Sequence, residues 1–480
     1  MAIVITIIIY SVVLLLVSRF TGRASDNESF FYARRRSPWP AVAFGMIGAS
    51  ISGVSFVSVP GMVLTKDMTY LQTCMGFAVG YIVVAFVLLP LYYRNNLNTI
   101  YHYLLSRFGN RTYKTGASLF VLSELLGASV RFYVVCFILH HFVFKALGIP
   151  FFVTASVLVA LIWFYTRRGG VRTLVWTDVL HTLCMLAALV LIVVIVCSHL
   201  DVNIKGAMSV VADSGYSRVF VFDDFMSAQN FFKQFVSGIF IVVVMTGLNQ
   251  NMMQKNLTCK SLRDAQKDMC TYGFAFLPVN MIFLVLGILL VALAADKGMA
   301  LPADGDSLLP MFAATGELGI LVLVLFSVGI VASSFSSADS ALTSLTTSVC
   351  VDLIGKDADE QVRHRVHLLL ASLFVVFILL FKTLCSTNII DAVYILCSYT
   401  YGPLLGMFAF GVLTKRKAND RIVPLLAVAS PLLCLLADIL TPMICGYKFG
   451  YELLLLNGLI MFCGMHISGM LPDVMRSEKK

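Results

Sequence analysis

About thirteen long apolar stretches, separated mostly by short loops, constrain this chain more than any other feature. Their approximate limits are 2–19, 39–65, 71–93, 114–145, 151–166, 173–198, 233–253, 271–296, 316–349, 364–383, 388–414, 421–442 and 449–471. A helix needs roughly 20 apolar residues to cross a ~30 Å hydrocarbon core. The stretches are too long and too continuously apolar for the alternating strands of a membrane barrel. The 480 residues are 59% hydrophobic and only 13% charged, too little charge to cover a soluble protein of this size. The sequence therefore predicts an all-α integral membrane protein of about 13 transmembrane helices. It is expected as a multi-pass protein of the plasma (cell inner) membrane, with the lipid bilayer as a partner.

Loop charge says which way the helices run. One set of loops holds Arg34–Arg36, then Arg94, Arg107 and Arg111, then Arg167, Arg168 and Arg172, then Lys255, Lys260, Arg263 and Lys267. The same set continues with Lys356, Arg363 and Arg365, then Lys415–Lys417, and ends at Arg476, Lys479 and Lys480. The opposite set carries only Lys66, Lys145, Lys297, Lys382 and Lys448 at the corresponding turns, and its one long member is 199–232. Basic loops stay inside, which predicts the N-terminus outside and the C-terminus inside. The net charge of +9 is this asymmetry, and no nucleic-acid partner is implied. The first stretch lacks the basic start and small-x-small site of a signal peptide, so it reads as a first helix.

No P-loop, Gly-rich dinucleotide loop, HExxH or GxSxG is present in the sequence, so neither an enzyme nor an organic cofactor is expected. The twelve cysteines are scattered without a CxxC. His140–His141 has no Cys or carboxylate at ligand spacing, so no transition-metal site is expected either.

The chemistry sits in the apolar stretches themselves. "GMIGASISGVSFVSVPGM", Gly45 to Met62, is dense in Gly and Ser and ends in Pro60-Gly61. It reads either as a close-packing face or as a broken helix whose free carbonyls ligate a cation. Ser333, Ser336, Ser337, Ser340 and Ser344 follow i, i+3, i+4, i+7, i+11, one face of a helix. Asp339 lies beside that face, and a carboxylate in mid-span costs a few kcal/mol, so it marks a pathway or an ion site. Hydroxyls, carbonyls and carboxylate are hard oxygen ligands that suit sodium. Asp178 is a second carboxylate inside a span. Arg131 is flanked by apolar residues on both sides. It reads as a partner for Glu124 or for a carbonyl, or as the anchor of an anionic solute.

With these residues in view the chain resembles the sodium/solute symporters over roughly residues 30–416. The matching segments are "SSADSALTSLTTSVCVDL" (Ser336–Leu353), "GGVRTLVWTDVLH", "NQNMMQKNLTCKS" (Asn249–Ser261), "GASISGVSFVSVPG" and "YGPLLGMFAFGVLTKR". The resemblance implies a LeuT-type fold within a single transmembrane transporter domain, 1–480. It would have an extra first helix (2–19), two five-helix repeats of inverted topology (39–198 and 233–414) and two C-terminal helices (421–471). It implies a sodium site built from the carbonyls of Gly48, Ile51 and Ser333 and the hydroxyls of Ser336 and Ser337. A second cation or proton site is implied at Asp178, Asp339, Ser336 and Ser340, where Asp339 stands in place of the usual hydroxyl. Two carboxylates in one site repel, so either a cation binds between them or one holds a proton.

The sugar-carrying branch is a poor fit, because its stacking aromatic falls on Met245 and two of its polar positions on Ser55 and Ile395. Arg131 matches the arginine that holds the carboxylate in the sialic-acid branch, and Ser50, Ser52 and Ser55 match its hydroxyl-bearing positions. The expectation is a secondary active carrier that takes in a small anionic solute with one or two Na⁺ by alternating access, a monomer being sufficient. The other readings are a carrier of a neutral sugar or amino acid, a proton-coupled carrier, and a sensor on the same fold.

Overall fold

The computed structural model describes residues 2–21, 26–95, 97, 99–145, 148–314, 317–355, 359–384 and 389–470. Arg476, Lys479, Lys480 and Lys356 of the charge pattern lie outside these residues. Among the described residues there is no strand, only an isolated bridge between Ser37 and Cys259.

The helices run in chain order as α1 (Ala2–Thr21), α2 (Trp39–Ser50), α3 (Gly53–Gly61), α4 (Tyr70–Arg94), α5 (Asn110–Leu139), α6 (Phe151–Arg167) and α7 (Gly170–His199). They continue as α8 (Phe231–Gly247), α9 (Gln250–Asn256), α10 (Leu262–Asp296), α11 (Gly319–Ile354), α12 (Glu360–Leu384), α13 (Ile389–Leu413), α14 (Val423–Cys445) and α15 (Leu453–Ser468). By length and composition, 8 helices among the described residues can cross a membrane, or 10 if α2/α3 and α8/α9 each count as one bent span. Shorter apolar helices lie at Ile8–Thr21, Phe151–Arg167 and Leu453–Ser468. The outer surface suits lipid: α14 exposes Leu425, Val428, Leu432, Leu436, Ile439 and Met443 along one helical stripe.

Both breaks have a local cause. α2 stops at Ile51, whose φ −83° and ψ 83° leave the helix, and α3 restarts after Ser52 at an angle of 58°. Ile51 N–H closes onto Ile47 O (3.0 Å), while Ser55 and Phe56 N–H both return to Ser52 O. Among the described residues no amide closes onto the carbonyls of Gly48 or Ile51, so the break leaves them open. α8 ends in a π turn, Val243–Gly247. Asn249 then caps α9 by accepting from Asn251 N–H (2.7 Å), and the two halves differ by 69°.

Small residues let α2 lie close against α7. A Cβ at Gly45 would stand 2.8 Å from Asp178 Cβ, and one at Gly48 would run into Thr182 Oγ1. Gly170 adopts φ 49° where α6 turns into α7, the left-handed region that a side chain disfavours. The serine-rich helix α11 lies inside the protein, not against lipid: every residue from Gly329 to Ser348 is buried. It packs on α7, α5 and both halves of the first broken helix. Several boundaries move from their sequence limits. α10 begins at Leu262 rather than 271 and takes Arg263 and Lys267 into its first turns, and α11 runs on to Ile354 through a π turn.

Candidate functional site

α11 meets the first break with three serines in different roles. Ser333 is fully buried, and its hydroxyl donates back to Gly329 O (2.7 Å). That bond spends the hydroxyl proton and folds the side chain back along α11. Ser336 donates to Asp178 Oδ1 at 2.6 Å, which turns its oxygen lone pairs away from Asp178. Ser337 is 6% exposed and lines a cavity of ≈ 90 Å³. The open Gly48 and Ile51 carbonyls and these serines thus belong to two elements packed on each other. Thr182 fixes the approach on the α7 side, accepting from Gly48 N–H (3.1 Å).

Behind the serines lies a buried charged cluster. Asp178, on α7, holds the Lys255 ammonium against Oδ2 at 2.6 Å. Asp339 Oδ2 accepts from the Tyr165 hydroxyl at 2.8 Å and stands 3.6 Å from His181 Nε2, and its Oδ1 accepts from Ser340 at 3.2 Å. His181 Nδ1 in turn meets the Tyr10 hydroxyl, so α1 reaches the cluster from its outer side. The structure brings Asp178, Asp339, Ser336 and Ser340 together, with a cation of the protein's own already on Asp178. Lys255 follows an apolar span and precedes Lys260, Arg263 and Lys267, so it reads as a loop cation. The bend between α8 and α9 carries it inward instead, and it is 2% exposed.

The cavity lies between the two broken helices, α4, α5 and α10. Ser50, Arg131, Glu124, Asn249, Tyr272 and Ser337 supply polar groups to its wall, alongside Met245. Ser50 pairs its hydroxyl with that of Tyr272. Arg131 does not lack a protein anion: its Nη2 lies 3.4 Å from Glu124 Oε1, since two long side chains span the two-turn spacing on α5. Glu124 also accepts from Asn249 (2.8 Å), Asn251 (2.9 Å) and Tyr401 (3.1 Å), so four donors share its two oxygens. Arg131 keeps its Nε buried without a hydrogen-bond partner among the described residues. Ser52 and Ser55 are not part of the cavity wall. Ser52 opens α3, where its carbonyl takes two amides, and Ser55 follows one turn along. Ile395 is 48% exposed, far from the role that a sugar site would give it.

Discontinuous helices around an inner cavity with polar groups in its wall are the arrangement in which many secondary transporters bind their cargo. The sodium:solute symporter family matches residues 30–421, and the chain belongs to it: a multi-pass membrane carrier, not an enzyme, that uses sodium as its coupling ion to move a small solute. Among its relatives, the sodium/sialic acid symporter of Aliivibrio fischeri is 24% identical over 85% of this chain and 82% of its own length. That of Proteus mirabilis is 23% identical over 83% and 81%. Sodium-coupled monocarboxylate transporter 2 of Danio rerio is 23% identical over 82% of this chain and 64% of the relative. Among solved structures, a Na⁺-coupled sialic acid symporter in a substrate-bound, outward-open state superimposes with a TM-score of 0.80 at 19% identity, covering 98% of each chain. A nucleobase–cation symporter in a closed conformation gives 0.59 at 18% identity, over 93% and 95%.

Proposed function

We propose that this symporter carries a carboxylate-bearing solute, of the sialic-acid or monocarboxylate kind, inward with sodium by alternating access. The observation that carries the reading is Arg131. A guanidinium in a cavity wall, with Nε buried and unpartnered and only one long contact to Glu124, has donors left for a carboxylate to take in a fork. The relatives named for sialic acid and monocarboxylates support the same chemistry. Ser50 gives the solute a hydroxyl from the same wall, with Ser52 and Ser55 next along the break.

Sodium is held by the carbonyls of Gly48, Ile51 and Ser333 and the hydroxyls of Ser336 and Ser337. Because Ser337 also faces the cavity, ion and solute share a wall. The second cation or proton position comprises Asp178, Asp339, Ser336 and Ser340. The chain crosses the membrane thirteen times, outside at its N-terminus and inside at its C-terminus. It has an extra helix at 2–19, inverted repeats at 39–198 and 233–414, and two helices at 421–471. Each repeat opens on a broken helix, which is what inverted repeats around one site require.

A neutral sugar or amino acid is the second reading, favoured by the Arg131–Glu124 pair, which already balances the guanidinium. Calorimetric titration of the purified protein in saturating Na⁺ with N-acetylneuraminate, lactate, a hexose and proline separates the two. Arg131→Ala should weaken a carboxylate solute on the order of 100-fold, since truncating one partner of a buried charge pair costs about 2–5 kcal/mol. Arg131→Lys should recover it only in part, and Na⁺ binding should be spared. A neutral solute bound equally by wild type and Arg131→Ala would return Arg131 to a structural role.

A further inference from the structure

We propose that the Lys255 ammonium is a built-in cation that stands where a second sodium would bind at Asp178, so that one sodium, not two, accompanies each solute. The inference rests on the sodium position read above at the α11 serines.

Both oxygens of Asp178 are taken. Oδ2 carries the Lys255 ammonium at 2.6 Å, and Oδ1 accepts from Ser336 at 2.6 Å. Asp178 is 1% exposed and Lys255 2%, so neither partner is free to turn to water. Asp339 offers no better grip on a metal ion. The Tyr165 and Ser340 hydroxyls donate to its two oxygens and the His181 ring stands 3.6 Å from Oδ2, so its near neighbours already turn toward the carboxylate itself. A second sodium would have to displace an ammonium from the carboxylate it needs, and the displaced ammonium would remain buried beside it.

Charge acts in the same direction. The Lys255 ammonium already sits on Asp178, so a second sodium there would meet a buried positive charge at close range, and like charges repel strongly in a region shut off from water. Lys255 also acts on the first sodium. Held by the ammonium, Asp178 keeps Ser336 as a donor, and the remaining lone pairs of Ser336 face the ion. Lys255 is a positioning residue in that respect. It sits on α9, beyond the second break, while Asp178 lies on α7 and Ser336 on α11, so it joins the second broken helix to the ion-binding helix.

The test counts ions. Equilibrium binding of ²²Na⁺ to the purified full chain should saturate at one ion per chain, with a Hill coefficient of about one. Lys255→Ala should admit a second ion and raise the coefficient toward two, and Lys255→Ala with Asp178→Asn should return the count to one. Lys255→Arg should stay at one throughout. Two ions on the wild-type chain overturn the proposal outright, as does a single ion on a Lys255→Ala chain that still melts cooperatively. Should Lys255→Ala fail to fold, Lys255→Met, of similar volume and no charge, is read in the same way, and the wild-type count stands by itself. The underlying sodium assignment fails separately, when Ser337→Ala leaves the affinity of the wild-type ion unchanged.

Discussion

Ser333 and Ser337 lie one helical turn apart on α11, yet their side chains have different work. The Ser333 hydroxyl is spent on Gly329 O, whereas Ser337 opens into the cavity. Ser337→Ala should therefore raise the Na⁺ concentration for half-maximal uptake roughly tenfold, the scale of one lost ligand at about 1–1.5 kcal/mol. Ser333→Ala should leave it nearly unchanged, because its carbonyl survives the substitution. Sodium titrations of uptake in proteoliposomes compare the two, and equal responses would remove the distinction. At this scale the sequence shows the serine stripe and its carboxylate plainly, because polar residues stand out in an apolar run. Lys255 is hidden for the opposite reason: a lysine past the end of a span and among other basic residues looks like a loop cation. Only the path of the backbone turns it inward. Tyr10 is hidden similarly, one of several hydroxyls scattered along an otherwise apolar helix, with nothing in the sequence to set it apart from Thr6, Ser11 or Ser18.

Among the elements, the two bent helices set the site. The first is legible from its glycines and serines, which give up helical propensity for close approach. The second is not legible: the sequence reads 233–253 as one span, since the π turn and the Asn249 cap leave no periodic signature in "VVVMTGLNQN". Gly48 tests the first break. A methyl group there would collide with Thr182 Oγ1 and push α2 off α7. Overpacking of this kind costs about 1–3 kcal/mol, so Gly48→Ala should lower the melting temperature by several degrees and weaken sodium binding. Adding Thr182→Ala should restore much of the lost stability, and a double variant no better than Gly48→Ala alone would show that the contact is not what limits α2. The boundaries of α10 and α11 were the least legible, because charged first turns and a terminal π turn continue these helices beyond their apolar runs.

For the whole molecule, alternating loop charge is the strongest sequence signal, and it makes orientation testable. In a chain cleared of native cysteines, Gly215→Cys, in the long loop before α8, should react with a membrane-impermeant maleimide on intact cells. Lys417→Cys, after α13, should react only once the membrane is opened. The reverse pattern would invert the topology. All-helical architecture and sodium-coupled transport were both readable in advance, since they follow from apolar length and from a motif spread over several spans. Some tertiary pairings that fill the site were not, among them Lys255 on Asp178, which depends on the bend, and His181 with Tyr10, 171 positions apart.

The Arg131–Glu124 pair has a further consequence, which is electrical. With its guanidinium balanced by Glu124, the empty cavity carries no net charge of its own. One sodium and one carboxylate entering together add none. The membrane potential does work of about 2.3 kcal/mol on each elementary charge moved through 100 mV, but on this cargo the two contributions cancel. A carrier that moves one sodium with one carboxylate transfers no net charge per complete cycle, so the membrane potential adds nothing to the accumulation it can reach. The steepness of solute accumulation is then capped by the sodium concentration ratio alone, at one for one.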